Sequence, residues 1–365
     1  MTEIDFLPTP YLQTVEAGTV SYKSPSNIAL VKYWGKKENQ IPQNPSISFT
    51  LDACATTTKV SFKKLEHKGA DFSFDLWFEG QQKEDFKPKI NTFFSRIESY
   101  LPFLKEYHIK IETSNSFPHS SGIASSASGM SALALCLMDI ERKLVGHMSE
   151  AFFIKKASFL ARLGSGSACR SIEGTIVQWG AHKNTQGSSD LYGIKYPYEV
   201  HSNFNNFQDT ILLVDKGQKQ VSSTMGHNLM HDHPYARERF KQAHDNLNHL
   251  MAVFKTGDVP EFIKIVESEA LTLHAMMMTS LPYFILMKPN TLEIINKIWA
   301  FREKTGSHVC FTLDAGANVH VLYPENEKQK VYQFIKDELL VYCENQQYIC
   351  DQIGLGAKQL AVNHP

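Results

Sequence analysis

Phe117-Pro-His-Ser-Ser-Gly-Ile-Ala-Ser-Ser-Ala-Ser-Gly129 runs directly into Met130-Ser-Ala-Leu-Ala-Leu-Cys-Leu-Met-Asp139. The second segment is almost continuously apolar and reads as a buried helix. The first is small and hydroxyl-rich, and its two glycines let backbone approach a ligand closely. A helix's first turn offers unpaired N–H groups and a partial positive charge, so such a loop can cradle phosphate, with serine hydroxyls adding hydrogen bonds or holding Mg²⁺. The same composition also suits close packing of the helix on a neighbour, with serines as caps. This segment alone leaves both readings open.

Outward from that helix the pattern is mixed. Alternating β-branched and aromatic residues predict strands over 18–24, 46–64 and 71–78, and further strands over 108–113, 174–180, 210–214, 309–313 and 319–323. Helical periodicity covers 88–100, 126–142, 149–162, 233–256, 259–278, 289–304 and 327–343. A chain strand-rich first and helix-rich later predicts an α+β class, divided into residues 1–205 and 206–365. Its 365 residues allow a substantial core.

A net charge of −1 gives no reason to expect a nucleic-acid or anionic-membrane partner, so any anionic ligand must meet a local cluster of cations. Cysteines 54, 136, 169, 310, 343 and 350 show no CxxC spacing and read as reduced core thiols. The start, Met-Thr-Glu-Ile-Asp-Phe, lacks a signal-peptide pattern, and no apolar run approaches a membrane span; the expectation is a cytoplasmic protein. HExxH, GxSxG and a full GxGxxG are absent. His231-Asp-His233 has no nearby third ligand, which argues against a metal there.

Chemistry-bearing residues gather in three further places. Ser26-Asn-Ile-Ala-Leu-Val-Lys32-Tyr-Trp-Gly-Lys36 is a strand that switches to a basic, aromatic end. It fits anion binding by Lys32 and Lys36 with a hydroxyl from Tyr33, or equally an amphipathic surface strand with solvated lysines. Gly164-Ser-Gly-Ser-Ala-Cys-Arg170-Ser171 follows an apolar helix and ends in a guanidinium whose planar fork pairs with carboxylate or phosphate. Its other use is a glycine cap followed by a structural ion pair. Thr312-Leu-Asp314-Ala-Gly316 puts a carboxylate at a strand end, where Asp also favours the turn itself. Set among cations, Asp314 would stay ionised and could orient or deprotonate a substrate hydroxyl.

Taken together, these blocks resemble the diphosphomevalonate decarboxylase family of the GHMP small-molecule kinases. The resemblance rests on Asn27-Ile-Ala29, Lys32–Lys36, Asn44-Pro-Ser-Ile-Ser-Phe-Thr-Leu51, Phe117–Gly129, the block at 164–171, Lys219-Gln-Val-Ser-Ser-Thr224 and Asp314-Ala-Gly316, in the family's order. It implies a GHMP kinase-like fold of two α+β parts enclosing a deep cleft, use of ATP and Mg²⁺, and a homodimer. The implied reaction phosphorylates the 3-hydroxyl of (R)-5-diphosphomevalonate, then loses phosphate and CO₂ to give isopentenyl diphosphate.

By the same resemblance Asp314, Lys32 and Arg170 are catalytic. Tyr33, Trp34, Gly35, Lys36, Ser165, Gly166, Ser167, Ala168, Cys169, Ser223 and Thr224 line the substrate end. Gly122, Ser125, Ser126 and Ser128 meet ATP, with Ser125 on Mg²⁺. Three positions depart from the family pattern: Pro118-His-Ser-Ser-Gly122 in the nucleotide loop, Ala317 where proline is usual, and Asp75 where an arginine helps hold the diphosphate. The last keeps open a kinase that stops at the 3-phosphate, or a decarboxylase of a less phosphorylated mevalonate. A nucleotide-binding protein without catalysis is the alternative from another class.

Overall fold

The computed structural model describes residues 1–118, 123–215 and 223–362, with the backbone alone at 223 and 224. Two long strands run through both halves: β1 (Ala17–Val31) and β2 (Ser46–Lys64) pair antiparallel from Ala17↔Lys63 to Val31↔Ile47. The register shifts between Pro25 and Asn27, where proline has no N–H to give the ladder, and again between Ala29 and Val31. β2 pairs with β5 (Tyr107–Asn115); β3 (Ser73–Phe78) joins β5 in parallel, and β4 (Gln81–Gln82) closes that edge. β6 (Ile176–Trp179) pairs with the start of β2, and β7 (Gly193–Lys195) pairs with β6.

Helices α1 (Lys87–Ile97), α2 (Ser125–Val145) and α3 (Glu150–Gly164) cover one face of this sheet. Their core includes Val20, Val60, Ile109, Leu133, Leu137 and Phe159. α2 is buried on nearly all sides, as its apolar run predicts for a central helix. Ser149 caps α3 by accepting the Phe152 N–H.

The second half holds a four-stranded antiparallel sheet in the order β11 (Tyr348–Gln352), β8 (Gln208–Leu212), β10 (Val319–Tyr323), β9 (Cys310–Thr312). The short α4 (Ser223–Asn228) precedes α5 (Ala236–Thr256), α6 (Val259–Met278), α7 (Pro289–Thr305) and α8 (Lys328–Phe334). An apolar seam joins the halves: Ile28, Leu30 and Phe49 from the long strands meet Phe207, Leu247, Phe254 and Phe262. β12 (Lys358–Gln359) then returns to β1. A Cβ on Gly354 would lie 2.6 Å from Leu51 backbone, and one on Gly356 would lie 2.7 Å from Glu173 backbone, so only glycine lets this tail pass. The division near residue 205 thus separates two sheets, but the C-terminal tail belongs to the first.

Other departures are local. The helix expected over 327–343 gives way after Phe334 to a π turn, Ile335–Leu339, and a 3₁₀ turn, Leu340–Tyr342; no glycine or proline marks the change. β11 escapes sequence reading because most of its side chains stay partly exposed at a sheet edge. Five cysteines are buried, but Cys350 is exposed and is not the core thiol expected. Among the described residues no helix is long and apolar enough to cross a membrane.

Candidate active site

β1 ends at Val31, and Lys32 is the first residue beyond it. Its side chain is 2% exposed, and its Nζ lies 3.3 Å from Asp314 Oδ1. Asp314 comes from the other half of the molecule, just past β9, and its side chain stays 28% exposed, enough to meet a ligand. Arg170 sits in the 3₁₀ segment Gly166–Ser171 that follows α3, buried, with Nη1 donating to Ser46 Oγ at 2.6 Å and Nε to Asn27 Oδ1 at 3.4 Å. Asn27 Nδ2 in turn donates to Ser171 Oγ, which fixes the segment against β1. Burial pulls the Lys32 ammonium down from the ordinary lysine range; Asp314 and Glu269 oppose that, and Arg170 adds to it. The Asp314 charge likewise acts on Arg170. Lys32 and Asp314, from two distant stretches, thus form one ion pair, and Arg170 from a third lies close enough for its charge to act on Lys32 and to feel Asp314.

Beside this pair lie the residues expected to line the substrate end. The Tyr33 ring packs 4.2 Å from the His227 ring and 4.6 Å from that of Trp179. Its hydroxyl is buried with no hydrogen-bond partner among the described residues. A Cβ on Gly166 would come within 2.8 Å of that oxygen, so glycine keeps the hydroxyl's surroundings open. Lys36 Nζ donates to Gln40 Oε1, and burial together with Arg96 lowers its pKa. Gly35 has a φ of 97° and donates its N–H to His227 Nδ1. Ser167 is half-buried, and its carbonyl accepts from Asn27 Nδ2.

Three residues predicted to line the substrate face inward instead. Trp34 is buried among Met230, Leu273, Met276 and Met277. Ala168 is buried in the first core, and Cys169 donates its thiol to the Gly166 carbonyl, with burial pushing it up to about 12. The side chains of Ser223 and Thr224, and all of Gly122, lie outside the described residues.

A half-open cavity lies where α2 begins. Thr56, Thr58 and Ile111 of the sheet, Leu76 and Phe78 of β3, and Phe86 and Ile90 beside α1 form its walls. Ser125, Ser126 and Gly129 form the helix side, and a Cβ on Gly129 would meet nothing within 4 Å. An apolar slot beside the first-turn N–H groups of a helix is chemically suited to a flat base with a phosphate tail. Ser126 Oγ lies 3.3 Å from Ser165 Oγ, so the cavity adjoins the segment that carries Arg170. Ser128 does not share this aspect: it is fully buried and its hydroxyl bonds Thr56 Oγ1 at 2.6 Å, supporting the helix start from beneath.

A profile described as the diphosphomevalonate decarboxylase-like N-terminal domain matches residues 24–190, and one described as the mevalonate 5-diphosphate decarboxylase C-terminal domain matches residues 210–360. The chain belongs to the diphosphomevalonate decarboxylase family. It is 29% identical to the diphosphomevalonate decarboxylase of Gibberella zeae, over 84% of this chain and 81% of that one. It is also 29% identical to that of Saccharomyces cerevisiae, over 87% and 81%. Among solved structures, that of the Staphylococcus aureus mevalonate diphosphate decarboxylase matches with a TM-score of 0.79 at 28% identity, covering 94% of this chain and 98% of that one. A structure of MDDEF with MVAPP, AMPPCP and magnesium matches with a TM-score of 0.79 at 28% identity, over 95% and 100%.

Asp75, where the family has an arginine, faces away from this cavity. Leu76 faces the cavity, so its neighbour Asp75 points to the opposite face of β3, within 3.8 Å of Lys87 and 3.5 Å of His108. Sequence reading missed Glu269, Arg239, His274 and His227. Each lies on a helix or turn whose periodicity spoke only of core, and nothing local marked them as neighbours of Lys32 or Asp314. In His231-Asp-His233, His233 bonds the Met276 carbonyl and the Tyr235 N–H.

Proposed function

We propose that this chain catalyses the ATP-dependent decarboxylation of (R)-5-diphosphomevalonate to isopentenyl diphosphate in the mevalonate pathway, releasing ADP, phosphate and CO₂. The observation that carries the reading is the pairing of buried Lys32 with part-exposed Asp314, within electrostatic reach of Arg170, whose segment adjoins the cavity at the start of α2. The relatives' names and the ligands of the matched structures support the substrate and the use of ATP with Mg²⁺.

ATP supplies the phosphoryl group that turns a tertiary hydroxyl, a poor leaving group, into a good one. Asp314 orients that hydroxyl and accepts its proton, and its partial exposure leaves carboxylate surface for the task. Lys32 neutralises negative charge gathering on the transferring group. Arg170, braced by Asn27 and Ser46, presents its guanidinium to the substrate carboxylate. Once the C–O bond breaks, electrons of the departing carboxylate's C–C bond form the new double bond, so no electron-sink cofactor is needed. Tyr33, Lys36, Ser165 and Ser167 hold the diphosphate end. Ser125 and Ser126 hold the phosphate tail, with Ser125 on Mg²⁺. A cytoplasmic homodimer completes the proposal; light scattering after size exclusion checks the assembly.

The decisive experiment incubates the protein with ATP, Mg²⁺ and, in turn, mevalonate, its 5-phosphate and its 5-diphosphate, while ADP is measured and CO₂ is trapped. CO₂ release that is greatest with the 5-diphosphate is the expected result. ADP without CO₂ from every substrate would overturn the reading in favour of a 3-kinase.

A further inference from the structure

Lys32 and Asp314 hang from backbone that one helix holds. The last ladder pair of β1 is Val31↔Ile47, and β9 stops at Thr312, so neither catalytic group is fixed by its own strand. In place of the ladder, α6 presents Glu269 Oε2 to the Lys32 N–H at 2.9 Å, and His274 Nε2 donates to the Asp314 carbonyl at 3.1 Å. Five positions separate the two residues, about 7.5 Å along a helix axis.

Each contact is itself braced. Glu269 is fully buried, and both its oxygens accept from Arg239 of α5, at 2.8 and 2.5 Å, while Asn246 Nδ2 donates to it at 2.6 Å. Arg239 Nη2 also reaches the Lys32 carbonyl at 3.2 Å, which Asn44 Nδ2 caps at 2.9 Å. Both peptide groups of Lys32 are therefore anchored by side chains. Burial, helped by Lys32, takes the His274 imidazole down to about 4 against the opposing pull of Asp314, so the ring is neutral and carries its one N–H on Nε2. A buried ion pair is a weak source of stability compared with apolar packing, so what Arg239 and Glu269 contribute here is geometry.

We infer that Glu269 and His274 are positioning residues of this active site, through which α6 sets the separation of the Lys32 ammonium and the Asp314 carboxylate across the seam between the two halves. The inference rests on the function proposed above and goes beyond it in naming what holds the reacting pair.

A double-mutant cycle tests it. His274→Phe is expected to lower kcat about 10-fold or more, with KM for ATP changed less than about 2-fold, since small misplacement of a reacting group costs rate rather than nucleotide binding. In an Asp314→Asn background the same change should cost less than about 2-fold, because His274 acts through that residue. His274→Gln, whose Nε2–H can donate to the same carbonyl, should restore most of the rate. Equal losses in both backgrounds, or equal losses for Phe and Gln, would overturn the role of His274. Where His274→Phe does not fold by thermal melt, His274→Asn, too short to reach the carbonyl, takes its place in the same comparisons. Glu269→Asp keeps the charge but withdraws the carboxylate; an unchanged kcat would remove Glu269 from the inference, and a loss in kcat at constant KM upholds it. The cycle can be read on ADP as well as CO₂. A wild-type protein that makes ADP but no CO₂ therefore defeats the decarboxylase reading alone, and an additive cycle in an active decarboxylase defeats the positioning role alone.

Discussion

The two ends of the site are built differently. The proposed nucleotide end lies within one half of the molecule: Ser125, Ser126 and Gly129 come from consecutive turns of α2, and the walls come from its own sheet and α1. The reacting end is assembled across the seam, with Lys32 and Arg170 from the first half, Asp314 from the second, and α6 reaching to both. A cavity of small and apolar residues needs only the packing of its own domain. A buried cation beside a carboxylate needs opposed charges placed within about 4 Å, and burial without a partner would neutralise it. Damage to the first end should therefore show as weaker nucleotide binding, and damage to the second as slower chemistry.

The sharpest way to break this contrast is Asp314→Asn, for which turnover should fall roughly 10²-fold or more while nucleotide binding persists, as expected for loss of a positioned acid–base group. CO₂ release and an ATP-dependent thermal shift measure the two sides, and near-normal turnover would remove Asp314 from the chemistry.

Arg170→Gln comes next, with kcat/KM for the diphosphate substrate lowered by about 10- to 10²-fold through loss of a charge-assisted carboxylate contact. A fall in melting temperature with kinetics intact would reduce Arg170 to a structural role.

On the other side of the comparison, Gly129→Leu fills open space in the cavity and should raise KM for ATP about 10-fold, leaving KM for the second substrate unchanged. Steady-state kinetics with each substrate varied separates the two.

Acid should weaken the fold around the Lys32–Asp314 end. Burial holds His274 down to about 4 and His227 down to about 3, below the unperturbed histidine value near 6.5. The unfolded chain then binds more protons than the folded one, so the stability these rings contribute is present above about pH 6.5 and is lost as pH falls toward about 4 and 3. Thermal melts from pH 7 to 4 should show this slope, and His274→Gln should flatten it.

Smallest is Tyr33→Phe, which removes an unpartnered buried hydroxyl. Stability should hold or rise, and KM for the diphosphate substrate should rise only about 2- to 5-fold, consistent with loss of one hydrogen bond. An unchanged KM would take the hydroxyl out of substrate binding.

Most of the elements were legible in the sequence because period-2 and period-3.6 patterns report which face is buried. β1, β2, α2, α3 and the helices α5 to α7 fall where the patterns put them. Edge strands β11 and β12 and the π turn after α8 were not, since pairing at an edge and a change of helical pitch bury little and leave no periodic trace. Of the site, Lys32, Arg170 and Asp314 stood out as charges at strand ends or after small-residue loops. Trp34, Ala168 and Cys169 belonged to the same short blocks yet turned inward, because alternate residues in a tight segment cannot all face one cleft.

By itself the chain's order of residues decided the class of fold, the small-residue start of α2 and the kinds of charge available for catalysis, since these follow from local pattern and side-chain chemistry. Only the folded molecule decided that Lys32 and Asp314 meet, that Asp75 looks away from the cavity, and that Glu269 and His274 stand behind the reacting pair. Those facts depend on contacts between residues as much as 282 positions apart, which are set by how the two halves pack along an apolar seam and leave no mark in any local stretch.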